Sequence, residues 1–198
     1  MIGELPDAPL IVGIGGSTSA SSVTNLLLRA ALDAAAGRGA RTLAFTGPQL
    51  VALPIFAVDG GEPAPEAAPL VAAVRAADAV IIATPGYHGG MSGLVKNAVD
   101  HLEMLREDPR PYLDGRAVGV IVAAAGWQAC GTTLTSVRST IHSLRGWPTP
   151  FGVTVNTAEP HRAADGAFDA RVTGALEILA GQLVEFAGWR AAAAAISP

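Results

Sequence analysis

Three features of this chain predict an α/β fold, with one parallel sheet covered by helices on both faces. Short apolar runs alternate five times with stretches of helical periodicity. Two of the runs, residues 79–83 and 117–123, are apolar almost throughout, as strands buried on both faces are. Glycine- or hydroxyl-rich loops follow the first, third and fourth runs, at the strand ends where such folds bind ligands. Right-handed crossovers and five strands predict the order 2-1-3-4-5. A length of 198 residues predicts a single domain over residues 1–198.

The first strand is read at residues 10–14, apolar and broken by Gly15 and Gly16. Hydroxyls crowd the loop behind it: Ser17, Thr18, Ser19, Ser21, Ser22 and Thr24. A helix over residues 23–37 follows, with Leu26, Leu27, Ala30, Ala31 and Ala34 at helical spacing. One or two hydroxyls suffice to cap a helix. The surplus here suits a phosphate held at the helix N-terminus. Strand two is residues 41–45, and residues 53–56 with the Pro/Gly-rich 59–65 form a loop. A helix over 66–76 leads into strand three, 79–83. Then comes the loop Thr84, Pro85, Gly86, Tyr87, His88, Gly89, Gly90, and a helix from Ser92 to about residue 107. Its glycines admit close approach of backbone to a flat or charged ligand, and Tyr87 offers a ring and a hydroxyl.

Strand four spans 117–123, and a loop over 124–131 contains Ala125, Gly126, Trp127, Gln128 and Cys130. A helix over 132–145 places Leu134, Val137, Ile141 and Leu144 on one side. Strand five is residues 149–155, a polar loop covers 156–166, and a last helix runs from 168 to about 189 before an Ala-rich tail, 190–198.

The run from Thr84 to Leu102 resembles the second flavin-binding loop of the NADPH-dependent FMN reductase family, whose pattern is close to T-P-x-Y-x-G-S-x-x-G-x-L-K-N-A-x-D-x-L. Thr84, Pro85, Tyr87, Gly89, Gly93, Lys96, Asn97, Ala98, Asp100 and Leu102 match it; Gly90 stands where Ser is usual and Val95 where Leu is usual. The family's first loop, G-S-x-R-x-x-S-x-N, is matched at Ser17 and Ser22, with Ser19 in place of the Arg and Thr24 in place of the Asn. The resemblance implies a flavodoxin-like three-layer sandwich. It implies FMN bound by Ser17, Ser19, Ser22, Val23, Thr24, Pro85, Gly86, Tyr87, His88, Gly89, Ala125, Gly126 and Gln128. It also implies NADPH as hydride donor, and a small-molecule acceptor such as free flavin or a quinone. No catalytic side chain is expected, since a flavin carries the hydride chemistry itself. A homodimer or homotetramer is expected, with Leu94, Leu102, Met104, Leu105, Ile141 and Leu144 at a two-fold interface.

Two nucleotide motifs fail. Gly13, Gly15 and the residues after them lack the third small residue of a dinucleotide fingerprint, and no acid ends the second strand. The Gly126–Gly131 spacing resembles a P-loop, but Thr132 stands where that motif needs Lys. His88 reads as a hydrogen-bond donor rather than a proton-transfer group, since no partner charge is visible. His101 and His142 read as structural or interfacial, and His161 as a loop residue. Cys130 reads as an idle thiol, and Lys96 with Asp100 as a surface pair. Trp127 reads either as a cover for the ring or as a subunit contact. An electron carrier without a nicotinamide site and a flavin-less relative are the competing readings.

Composition narrows the class further. Hydrophobic residues make up 50% and charged residues 15%, with mean hydropathy +0.39. No run of 18 apolar residues marks a membrane span, so the surplus suits a core plus a subunit interface. A net charge of −4 and the lack of a basic stripe argue against nucleic acid. A single cysteine excludes an internal disulfide and a cysteine metal cluster. No metal spacing occurs. No secretory signal is visible at the N-terminus, and a cytoplasmic protein is expected.

Overall fold

The structure is a computed structural model that describes residues 8–19, 22–58 and 64–196. Five strand positions run parallel in the order β2-β1-β3-β5-β6/β7. The strands are β1 (Leu10–Gly15), β2 (Arg41–Phe45), β3 (Ala79–Tyr87), β4 (Gly90–Met91), β5 (Ala117–Ala124), β6 (Trp147–Pro148) and β7 (Val153–Asn156). The helices are α1 (Val23–Ala36), α2 (Gly47–Val51), α3 (Ala68–Ala76), α4 (Gly93–Asp100), α5 (Trp127–Ser143) and α6 (Ala170–Ile196), with a 3-10 turn at His101–Leu105.

The expected order holds, but the strand count rises to seven. The fifth position is two short strands, because Pro148 and Pro150 have no N–H to carry a ladder through residues 149–152. Both pieces pair with β5, Ala117 opposite Trp147 and Ile121 opposite Val153. The other addition is β4, antiparallel to the end of β3. Expected to stop at 83, β3 runs on to Tyr87. Its neighbour β1 ends opposite Ala83, so Pro85 lies where no β1 bond is lost.

Alternate residues of the central strands enter opposite cores, as a pleat requires. Val12, Ile14, Val80, Ile82, Val118, Val120 and Val122 face α3, α4, the 3-10 turn and α5. Ile11, Ala79, Ile81, Ala83, Ile121, Ala123, Val153 and Val155 face α1 and α6. This packing corrects the expected subunit interface: Leu102, Leu105 and Ile141 are fully buried in the first core, and Leu94, Met104 and Leu144 pack against it. Leu102, Leu105 and Ile141 therefore stabilise the monomer and offer no surface to a partner, while Leu94, Met104 and Leu144 are only partly buried.

Three helices differ in extent. The helix expected from Ser92 to about 107 is α-helical only over Gly93–Asp100 and tightens into the 3-10 turn His101–Leu105. α5 begins at Trp127, five residues before the expected start, because Gly126 turns the chain and its carbonyl accepts the Cys130 N–H. α6 continues to Ile196 instead of ending near 189, since Ala191 to Ala195 are the best of helix formers and contain no stop signal. At the end of the sheet opposite the ligand loops, Arg116 is buried and donates to the carbonyls of Arg75, Ala77, Tyr112 and Asp114 at 2.8–3.2 Å. Burial, with nearby Arg110, lowers its pKa to about 10.

Candidate functional site

The three loops singled out in the sequence meet at one rim of the sheet. The Gly16 N–H donates to the Ala83 carbonyl at 2.9 Å, joining the first loop to β3. Pro85 lies opposite Ala123 in the β3–β5 register, joining the second loop to the third.

The first loop leads into α1. Ser22 caps the helix, its hydroxyl accepting the Asn25 N–H at 3.4 Å. Val23 and Thr24, the first two helical residues, have N–H groups with no acceptor among the described residues, as the first turn of a helix must. Ser17 is half-buried and its hydroxyl accepts the Ser19 N–H at 3.3 Å; Thr18 and Ser19 are exposed. A hydroxyl that accepts one bond still has its own hydrogen to give. Free amides, hydroxyls and a helix N-terminus together form a donor set for a phosphate monoester. Ser21 lies outside the described residues.

Sequence reasoning missed the residue that shapes this loop. Asn25 stands one position after the place where the resemblance asks for Asn. Its Oδ1 accepts from Ser17 N–H at 3.1 Å, and its Nδ2 donates to the carbonyls of Ser17 and Ser19 at 3.1 and 3.0 Å. Asn25 reaches back from the first turn of α1 to the loop at Ser17 and Ser19.

The second loop is a tight hairpin rather than open loop. Tyr87 pairs with Gly90, leaving His88 and Gly89 as a two-residue turn with φ of 52° and 82°. Positive φ at both positions marks a type I′ turn, the one whose twist suits a hairpin. His88 is therefore at the tip, exposed and without a hydrogen bond among the described residues. Thr84 fastens the base of the hairpin: its hydroxyl accepts the Ser92 N–H at 3.0 Å and donates to the Pro85 carbonyl at 2.9 Å. Pro85 is buried, and Gly86 is half-buried over α5. A Cβ on Gly86 would lie 2.9 Å from Thr133 Oγ1 and 3.0 Å from Ala124 Cβ, so glycine alone permits this contact. The Tyr87 ring is 57% exposed, and no hydrogen bond to its hydroxyl occurs among the described residues.

The third loop is short. Ala125 is exposed, and Gly126 adopts φ of 127° with open space where a Cβ would stand. Only glycine readily adopts that backbone. Gln128 is exposed in the first turn of α5. Asn156, read only as part of a polar loop, braces this turn: its Oδ1 accepts from Gly126 N–H at 2.8 Å and from Ala158 N–H at 3.1 Å. Glu159 in turn accepts from Asn156 Nδ2 at 2.8 Å and from Trp127 Nε1 at 2.6 Å. No sequence motif marked these partners, because they come from a different loop.

Other singled-out residues have structural roles. His101 is buried, with Nε2 3.0 Å from the Pro54 carbonyl and its ring edge-on to Phe56 at 5.4 Å. Asn97 accepts from Phe56 N–H and donates to Pro54 O, both at 2.9 Å. Lys96 and Asp100 form the expected surface pair at 2.6 Å. Cys130 is buried, its thiol near the Val155 and Ala124 carbonyls at 3.5 and 3.9 Å, and burial pushes its pKa up. No group of side chains among the described residues has the makings of a metal site.

A free helix N-terminus, a glycine-lined turn beside it and an exposed ring on the adjoining hairpin come together at one rim of a flavodoxin-like α/β fold. The sequence profile of the NADPH-dependent FMN reductases matches residues 9–160, and the chain belongs to that family. It is 33% identical over 93 residues to an FMN-dependent NADPH-azoreductase of Staphylococcus aureus, a match covering 47% of this chain and 46% of that one. The chain thus matches about half the length of this curated relative. In fold it is similar to an oxidoreductase from Corynebacterium diphtheriae, with TM-score 0.69, 20% identity, and 92% and 98% of the two chains covered. An NADH:FMN oxidoreductase in apo form is similar too, with TM-score 0.68, 22% identity, and 92% and 90% covered.

Proposed function

We propose that this protein binds FMN at the rim formed by its three loops and works as an NADPH-dependent FMN reductase. The observation that carries the reading is the junction of a free helix N-terminus with two glycine-shaped turns, on a chain of this family. Ser17, Ser19, Ser22, Val23 and Thr24 hold the phosphate through hydroxyls and amides. Pro85, Gly86, Tyr87, His88 and Gly89 form one wall for the ring, and Ala125, Gly126 and Gln128 the other. Held by these residues, FMN would supply the redox chemistry, with NADPH as hydride donor and a free flavin, a quinone or a similar small molecule as final acceptor. The chain's own part is to bind, orient and shield. Asn25 holds the phosphate loop in shape, and Asn156 holds Gly126 with its open side free.

The lone buried thiol suits a reducing compartment, and the cytoplasm is the proposed location. Among the described residues no helix is long and apolar enough to cross a membrane. A homodimer or homotetramer is the proposed assembly.

The test is reconstitution. Protein stripped of small molecules is titrated with FMN and with riboflavin, following flavin fluorescence, and the complex is assayed for NADPH oxidation with added acceptors. Tight FMN binding, weaker riboflavin binding and acceptor-dependent turnover support the reading. FMN binding without NADPH oxidation identifies an electron carrier, and absence of FMN binding ends the proposal.

A further inference from the structure

NADPH differs from NADH by one phosphate on the adenosine ribose, so a site that prefers NADPH places a cation where that phosphate falls. None of the residues proposed to hold FMN is Lys or Arg. A cation does stand in the groove beside the third loop. Trp127, which directly follows Gly126, lines a groove of about 470 Å³ with Phe151, Val155, Ala175 and Ile178, and Arg171 and Thr154 share the lining. That volume lies within the ~300–1,000 Å³ of small-molecule sites.

The groove combines a flat seat with a cation, and no acid lines it among the described residues. Trp127 is 49% exposed, and the bond from its Nε1 to Glu159 at 2.6 Å fixes the indole in place before any ligand arrives. An immobilised indole with an open face offers the stacking surface a purine takes. Arg171 meets one acid, Asp169 at 3.8 Å, which is too long for a hydrogen bond, and its guanidinium donates to no group among the described residues. Asp169 meanwhile accepts the Val172 N–H at 2.8 Å as the cap of α6, so Arg171 can turn to an anion without unseating the helix. A planar fork of free N–H donors matches a phosphate monoester. The Thr154 hydroxyl, also without a partner among the described residues, remains for a ribose hydroxyl or a ring nitrogen.

We propose, resting on the reading of this protein as an NADPH-dependent reductase, that the groove seats the adenosine half of NADPH. The adenine lies on Trp127 and the 2′-phosphate on Arg171, and Arg171 is the residue that tells NADPH from NADH. An apolar ligand would leave the arginine unpaired, and inorganic phosphate would leave the indole bare; an anionic purine nucleotide uses both.

Calorimetric titration of the flavin-free protein with 2′,5′-ADP and with 5′-AMP tests the site without FMN or turnover, and circular dichroism establishes that each variant is folded. The wild type is expected to bind 2′,5′-ADP at least about tenfold tighter than 5′-AMP, through a charge-assisted contact that only the former can make. Arg171→Gln brings the two nucleotides to within about threefold of each other. Trp127→Ala weakens both by about tenfold, the usual scale for a lost stacking partner. If that variant does not fold, Gly174→Leu replaces it: Gly174 lines the groove, an added Cβ there meets nothing, and leucine favours the helix, so the groove narrows and both nucleotides weaken. In the FMN-loaded protein, Arg171→Gln raises KM for NADPH relative to NADH by at least about tenfold. Equal affinity of the wild type for the two nucleotides, no binding of 2′,5′-ADP, a preference that survives Arg171→Gln, or affinities indifferent to the Trp127 or Gly174 variant overturns the proposal. Loss of FMN binding beside an intact nucleotide preference removes the flavin reading alone, whereas FMN-dependent NADPH oxidation without that preference removes only the adenosine site.

Discussion

The amide of Gly126 donates to Oδ1 of Asn156 at 2.8 Å, across 30 residues of sequence. That bond ties the β5–α5 turn to the end of β7, and Glu159 extends it to the Trp127 indole. The conformation of one wall of the candidate site is thus set by residues that do not line it.

Asn156→Ala is expected to weaken FMN binding about tenfold, while lowering stability by ~1–2 kcal/mol for the buried amide left unpaired. Fluorescence titration and thermal melting separate the two effects. Glu159→Gln keeps an acceptor for both donors and should bind FMN nearly as wild type. Unchanged FMN affinity in Asn156→Ala would show that the turn holds its shape unaided.

Asn25→Ala removes three hydrogen bonds from the phosphate loop. At ~1 kcal/mol each, partly offset by water, a loss of about 2 kcal/mol in stability is expected. The effect on ligands should be selective: FMN weakens about tenfold while riboflavin, which lacks the phosphate, changes little. Equal weakening of both ligands would assign Asn25 to the whole fold rather than to the anion cradle.

His88 is expected to matter for its backbone. Asn tolerates positive φ and should leave stability and NADPH oxidation close to wild type, whereas His88→Val should cost about 1–2 kcal/mol, read from a urea melt. Removal of a general acid typically costs at least about a hundredfold in rate. A loss of that size in His88→Asn would make the imidazole a participant in the chemistry.

Cys130 should resist iodoacetamide in the native protein at mildly alkaline pH and react promptly after unfolding, because burial blocks access and disfavours the thiolate. The linkage has a definite sign. The folded pKa lies above the unfolded one, so the unfolded chain loses this proton first. The stability this thiol contributes is full below the ordinary thiol pKa and falls as pH rises through the raised value. Mass spectrometry of the labelled peptide and melts on either side of that range check both statements. Rapid labelling of the native protein would contradict the buried position.

Alternating short apolar runs and amphipathic stretches were enough to predict the parallel sheet, its order and the rim where three loops meet, because periodicity and crossover handedness are local rules. The Thr84–Leu102 motif was legible for the same reason. Tertiary structure decided what depends on neighbours. Pro85 continues a strand because β1 has already ended beside it. His88 became the tip of a hairpin because β4 folds back on β3. Leu102, Leu105 and Ile141 became core rather than interface because α5 and the 3-10 turn after α4 pack closely on the sheet. Asn25 and Asn156 gained their roles from groups brought near them by folding. A one-dimensional pattern specifies which face of an element is apolar; what that face meets is set by where the other elements come to rest.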